Sequence, residues 1–192
     1  MRFIEKLRNC DACLELAATR TQVVPGEGPI PCPIVFLGEA PGRLEDEKGS
    51  PFCGASGQLL RADAYVGGLR AGDYHILNML KCRPPENRDP TLEELKNCRP
   101  FLLHQLKVIK PKVIVCLGKY AQAFALHQPP YKIGVTKNAG RVVNFRWDYG
   151  QKKDVVALLT FHPAFVMRNR GNEIEDAFIS HFRKAKRYAR RL

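Results

Sequence analysis

Four short apolar runs rich in β-branched residues, at 34–38, 74–80, 113–118 and 155–161, constrain this chain more than any other feature. Each reads as a strand buried on both faces, which a sheet allows only where helices cover both of its sides. The connections supply those helices, since 58–69, 91–109 and 119–127 all have helical character. Strands alternating with helices predict an α/β layer fold around a mostly parallel, four-stranded sheet. A fifth run, 141–146, alternates apolar and polar residues and predicts a short edge strand or hairpin arm. The 192 residues, 45% of them hydrophobic, suffice for one domain with a sizeable core, and neither a repeat nor a linker divides them.

Thr91 followed by Glu94 forms a capping box, so a helix should begin there, and Pro100 should kink or split it. Beyond Pro100, Leu102, Leu103, Leu106 and Ile109 share one face at core-packing spacing. Residues 172–192 place Ile174, Ala177, Phe178, Phe182 and Ala185 on one stripe and end in Arg183, Lys184, Lys186, Arg187, Arg190 and Arg191. That predicts a docked helix whose basic end is a solvated face.

Open α/β sheets bind ligands beyond the carboxyl ends of their strands, and three polar residues fall there: Glu39, Asn78 and His162. Singly they could cap a turn, satisfy a strand end or fill a partly buried niche; together they predict a site. Glu39 lies in "VFLGEAPG", where an apolar strand stops on a carboxylate held in a turn by Pro41 and Gly42. The following "GSPFCGASG" at 49–57 carries glycines that permit close backbone approach, and Phe52 could be core or a ring for stacking a base. Its spacing fits neither a Walker loop nor a dinucleotide fingerprint, which disfavours nucleoside triphosphate chemistry.

Thirty-one Lys and Arg against nineteen Asp and Glu give a charge of +12, which suits a polyanion such as nucleic acid. The N-terminal segment has no signal-peptide core and no apolar run reaches membrane-spanning length, so a cytoplasmic protein without a membrane partner is expected. Seven cysteines in a reducing compartment point to metal, chemistry or burial rather than disulfides. Cys10 and Cys13 form a C-x2-C pair, and Cys82 and Cys98 could join them as an all-cysteine zinc site or an iron-sulfur cluster. Cys32, Cys53 and Cys116 read as small buried residues.

The stretches "GEAPGRLEDEKGSPFCGASGQLL", "NMLKCRPPENRDP" with Cys98 behind it, "VIVCLGKYA" and "TFHPAFVMRNRG" resemble, in order and spacing, the family 4 uracil-DNA glycosylases, the iron-sulfur branch of their superfamily. The resemblance spans nearly the whole chain. It implies a single three-layer glycosylase-like domain over 1–192, with helices on both faces of the sheet. It also implies one structural four-iron four-sulfur cluster on Cys10, Cys13, Cys82 and Cys98, tying the N-terminal segment to the body.

Carried over to this chain, the resemblance implies that a flipped uracil lies over Phe52, contacts Gly38, Glu39 and Ala40, and is read by Asn78, with His162 near O2. An amide can donate to uracil O4 and accept from N3–H, whereas cytosine presents the opposite pattern and is rejected. Glu39 would position water and favour the cationic sugar while His162 stabilises the departing base, the two catalytic roles. Ser56, Gly57 and Arg168 are the expected backbone contacts, and Val166 or Met167 the wedge entering the duplex. Glu45 would wall the pocket against the thymine methyl.

The implied partner is uracil-containing DNA, a replication clamp is a further candidate, and a monomer is expected. The sequence departs from the family pattern at Cys53, at Ser56 and at the glycine pair Gly67 and Gly68, and it carries no basic His-bearing insertion at 132–143, so ordinary turnover is expected. Two other readings compete: a non-catalytic iron-sulfur or zinc nucleic-acid-binding module, which leaves Glu39, Asn78 and His162 without a joint purpose, and a redox protein using the cluster for electron transfer.

Overall fold

The computed structural model describes residues 3–146, 155–171 and 173–191. Its centre is a sheet of five strands, β1 (Ile34–Gly38), β2 (Tyr74–Asn78), β3 (Val113–Leu117), β4 (Val142–Phe145) and β5 (Val155–Thr160), in the order β2-β1-β3-β5-β4. The expectation of four strands is thereby corrected to five. The first three and β5 run parallel, and β4 pairs antiparallel with β5. All residues of the four parallel strands are buried, whereas β4 is half-exposed except at Phe145, which is why 141–146 alternates as an edge strand does.

Nine helices accompany the sheet among the described residues: α1 (Phe3–Arg8), α2 (Leu14–Thr19), α3 (Arg43–Lys48), α4 (Ala55–Val66), α5 (Leu92–Ile109), α6 (Lys119–Leu126), α7 (Val135–Asn138), α8 (Pro163–Arg168) and α9 (Glu173–Arg191). Two apolar clusters cover the two faces of the sheet. One joins Phe36 and Val115 to Leu60 of α4 and to Phe178 and Phe182 of α9; the other joins Val35 and Cys116 to Leu102 and Leu106 of α5 and Ala121 of α6. The three-layer architecture follows from these two dry interfaces.

The capping box opens α5 as expected, with Thr91 Oγ1 accepting from the Glu94 N–H and Glu94 Oε2 accepting from the Thr91 N–H. The helix then runs through Pro100 instead of splitting. Pro100 and Lys96 both face solvent, so water can serve the carbonyl that the proline leaves unpartnered. The helix expected at 58–69 is shifted: α4 starts at Ala55 and ends at Val66, with Gly67 as its cap. The glycine pair is therefore a helix end and not an irregularity within one. Phe178, Phe182 and Ala185 are the buried stripe of α9, while Asn172 and Leu192 lie outside the described residues. No helix among the described residues is long and apolar enough to cross a membrane.

Candidate active site

Because β1, β2 and β5 are parallel and in register, their carboxyl ends lie at one edge of the sheet, and the chain leaves that edge through Glu39, Asn78 and His162. The exits of β1 and β2 are bound to each other, since Gly38 and Glu39 accept through their carbonyls from the N–H groups of Met79 and Leu80. Gly38 sits opposite Asn78, and a Cβ at Gly38 would collide with Asn78 Oδ1 and the Phe52 ring. Glycine there lets a ring and an amide converge on the strand end.

Asn78 is 2% exposed, and its Oδ1 has no hydrogen-bond partner among the described residues. A buried unpaired amide oxygen costs about 1–3 kcal/mol, so its persistence calls for a ligand that satisfies it. Phe52 adopts φ 52°, a left-handed conformation that a bulky residue rarely holds without reason. Arg61 Nη1 donates to its carbonyl at 3.2 Å. A Cβ at Gly57 would strike the Phe52 backbone, so Gly57 is a close-approach glycine within the first turn of α4, where half-buried Ser56 also lies.

Glu45 lies within electrostatic reach of His162. Its Oε2 accepts from the Gly42 N–H at 3.1 Å and its Oε1 from the Gly54 N–H at 2.9 Å. Both oxygens are thus engaged in clamping the Glu39 turn to the Phe52 loop.

His162 caps α8 by accepting from the Ala164 N–H at Nδ1, 3.2 Å away. An accepting Nδ1 leaves the proton of the neutral ring on Nε2, available as a donor. Burial, reinforced by the Arg168 charge, pushes the imidazole down to about 4, so it stays neutral at physiological pH. Its ring centroid is 5.9 Å from that of Phe52. Gly118, at φ 84°, lets the backbone pass beside it, since a Cβ there would come within 3.0 Å of the His162 Cβ.

Glu39 is half-buried, and burial pushes its carboxyl up to about 7, with the Asp89 charge adding to the shift and Lys119 opposing it. Lys119 Nζ donates to Asp89 Oδ2 at 2.7 Å. Glu39, Gly118, Lys119, His162, Phe165 and Arg168 line one cleft of about 290 Å³ together with Val135 and Thr136. It combines a titratable acid, a neutral imidazole donor and two cations, a set suited to cleaving a bond beside a phosphate.

Sequence reasoning missed Lys119 and Asp89. The only local sign was the "GK" that follows the third strand, where a cation at a strand end could have been suspected. Of the two wedge candidates, Val166 is fully buried in the core and is ruled out, because its side chain packs under α8; Met167 is 39% exposed. Arg168 is exposed at the end of the same helix, and Ala40 is half-buried beside Glu39.

Between the α1–α2 segment, the loop after β2 and α5, Cys10, Cys13, Cys82 and Cys98 line one cavity. The four thiols are electrostatic neighbours: Cys82 faces Cys10 and Cys13, and Cys98 faces Cys82 and Cys13. Burial pushes the thiols of Cys13 and Cys82 up and that of Cys98 to about 11. Arg20 Nη1 donates to Cys82 Sγ at 3.2 Å and Asn97 Nδ2 to Cys13 Sγ at 3.7 Å. Among the described residues no group of three or more donors is placed to hold a single metal ion. Cys32 and Cys116 are buried, as expected, and Cys53 is half-buried beside Glu45.

Residues 25–188 match the family model of the uracil DNA glycosylase superfamily. The chain is 41% identical over 187 residues to a type-4 uracil-DNA glycosylase of Thermotoga maritima, covering 97% of this chain and 93% of that protein. It is 42% identical over 184 residues to one of Archaeoglobus fulgidus, covering 95% and 89%. A type-5 uracil-DNA glycosylase of Pyrobaculum aerophilum is 27% identical over 216 residues, covering 95% and 90%.

Proposed function

The chain belongs to the uracil DNA glycosylase superfamily, in its type-4 branch, and from that premise we propose that it hydrolyses the N-glycosidic bond of deoxyuridine in DNA and releases uracil for base excision repair. The observation that carries the reading is the orphaned Asn78 Oδ1, buried beside the Phe52 ring where two strand ends meet. A flipped uracil stacked on Phe52 would donate N3–H to this oxygen and accept at O4 from Nδ2. Cytosine would oppose acceptor to acceptor and donor to donor.

Cleavage breaks C1′–N1, sending the electron pair onto uracil and leaving cationic character on the sugar. The His162 Nε2–H is a neutral donor for the charge growing on O2, and the Glu39 carboxylate orients water toward C1′ and offsets the sugar's charge. Lys119 and Arg168 supply positive charge for the flanking phosphates, the first turn of α4 with Ser56 and Gly57 offers further backbone contacts, and Met167 is the wedge.

Cys10, Cys13, Cys82 and Cys98 would hold a four-iron four-sulfur cluster. The donor set fits, since four thiols surround a cavity instead of converging on one point and two N–H donors already reach their sulfurs. Such a cluster would cross-link the α1–α2 segment to the loop after β2 and to α5. The binding-module alternative leaves the Asn78 oxygen and the Glu39 and His162 pair unused.

Incubation with an oligonucleotide containing one deoxyuridine should yield free uracil and an intact strand with an abasic site, both detectable by mass spectrometry. Binding without release of uracil would overturn the reading.

A further inference from the structure

Only four positions separate Asn78, at the base pocket, from Cys82, at the cysteine-lined cavity, and Lys81 lies between them. Its side chain is 0% exposed, among the largest fully buried groups of the protein. Its Nζ turns back to donate to the Asn78 carbonyl at 2.5 Å, while its charge faces Cys98 and Cys82. Its backbone is fixed at both groups, the carbonyl accepting from the Val24 N–H at 2.7 Å and the N–H reaching the Cys98 sulfur. Among the described residues no carboxylate lies within ion-pair distance of it.

A fully buried ammonium with one neutral partner is costly and calls for a nearby anion. Four thiolates around iron provide one, because such a cluster carries net negative charge. We propose that Lys81 is a positioning residue joining the two sites, its charge balancing the cysteine-bound cluster while its Nζ–H holds the backbone carbonyl of Asn78 in the geometry that reads uracil. The inference rests on the glycosylase reading and its cluster. It makes base recognition depend on an intact cluster that takes no part in the chemistry.

The test uses iron-loaded protein and a duplex carrying 2′-fluoro-2′-deoxyuridine, which resists cleavage, against a matched thymine duplex. Lys81→Met, similar in length, removes both the charge and the donor. Its preference for the uracil analogue should fall about tenfold with thymine-duplex binding unchanged. Its iron should pass to a chelator about tenfold faster or more. Lys81→Gln keeps an N–H donor without the charge, so it should retain the preference to within about threefold yet lose iron as fast as Lys81→Met.

In the wild-type protein, which needs no substitution to fold, saturating analogue duplex should slow iron release relative to thymine duplex, because coupling between two sites is reciprocal. Wild-type preference in Lys81→Met, or equal iron release on the two duplexes, overturns the proposal. Failure of the glycosylase reading is seen separately, as a wild-type protein that releases no uracil, and failure of the cluster assignment as one that binds no iron.

Discussion

Glu39 and Asn78 are residues whose native surroundings suit a ligand better than they suit the folded protein. With its carboxyl near 7, Glu39 should ionise through neutrality, and only the ionised form serves as a water-orienting anion. We therefore expect kcat/KM to rise with pH across about 6 to 8, a limb absent from Glu39→Gln, whose turnover should fall about 100-fold or more. His162, titrating near 4, should add no limb above pH 5.5. A flat wild-type profile would contradict the assignment. Stability should move oppositely: the unfolded chain ionises Glu39 at its ordinary 4.5, below the folded value, so stability is lost as pH rises from 4.5 through 7. Glu39→Gln should then show a higher Tm than wild type at pH 8 and none of that advantage at pH 4. Asn78→Leu makes a parallel case, because Oδ1 has no partner to lose: thermal melting should be unchanged or improved while uracil release falls about 100-fold or more. A large drop in Tm would mark Asn78 as structural instead.

Within the elements, α8 turns two adjacent apolar residues about 100° apart, enough to bury one and expose the other. Val166→Ala should cost roughly 1–3 kcal/mol of stability in denaturant unfolding and leave the activity of the folded fraction unaltered. Met167→Ala should leave stability within about 0.5 kcal/mol and slow uracil release from duplex more than from single strands. Equal effects of the two substitutions would remove the wedge. The sequence could not choose between them, because helical phase over six residues is set by which side chain α4 and α9 cover, and that is a tertiary fact. The same limit explains Lys119 and Asp89, 30 positions apart, whose pairing needs β3 and the loop after β2 side by side. It explains Glu45 as well, whose two backbone partners come from separate turns. What local chemistry decides was legible: the buried strands, the Thr91 cap, the α9 stripe, and the placement of Glu39, Asn78 and His162 at one edge of the sheet, which follows from parallel strand direction alone. Pro100 does not split α5, and the Lys96 carbonyl that it leaves without a donor lies on the solvent side of the helix.

Over the whole molecule, a charge of +12 and a site flanked by Lys119 and Arg168 make DNA binding electrostatic at first contact. Its affinity should fall steeply with salt, and Arg168→Met should reduce the slope of log K against log[salt] by about 1, as expected for one lost phosphate contact. Removing the iron of the proposed cluster should loosen the N-terminal helices first, since apart from the cysteines their polar ties include Glu15 to Arg88 and the Ala12 carbonyl to Asn97. Limited proteolysis after chelation should therefore cut within residues 3–20 before the sheet. The most direct test of the central claim is single-turnover base release by the iron-loaded protein from three otherwise identical oligonucleotides carrying uracil, thymine or cytosine at one position. The site described here should release uracil alone, with the rate lost in Glu39→Gln. Release of cytosine at a comparable rate, or undiminished uracil release without the Glu39 carboxylate, would contradict it.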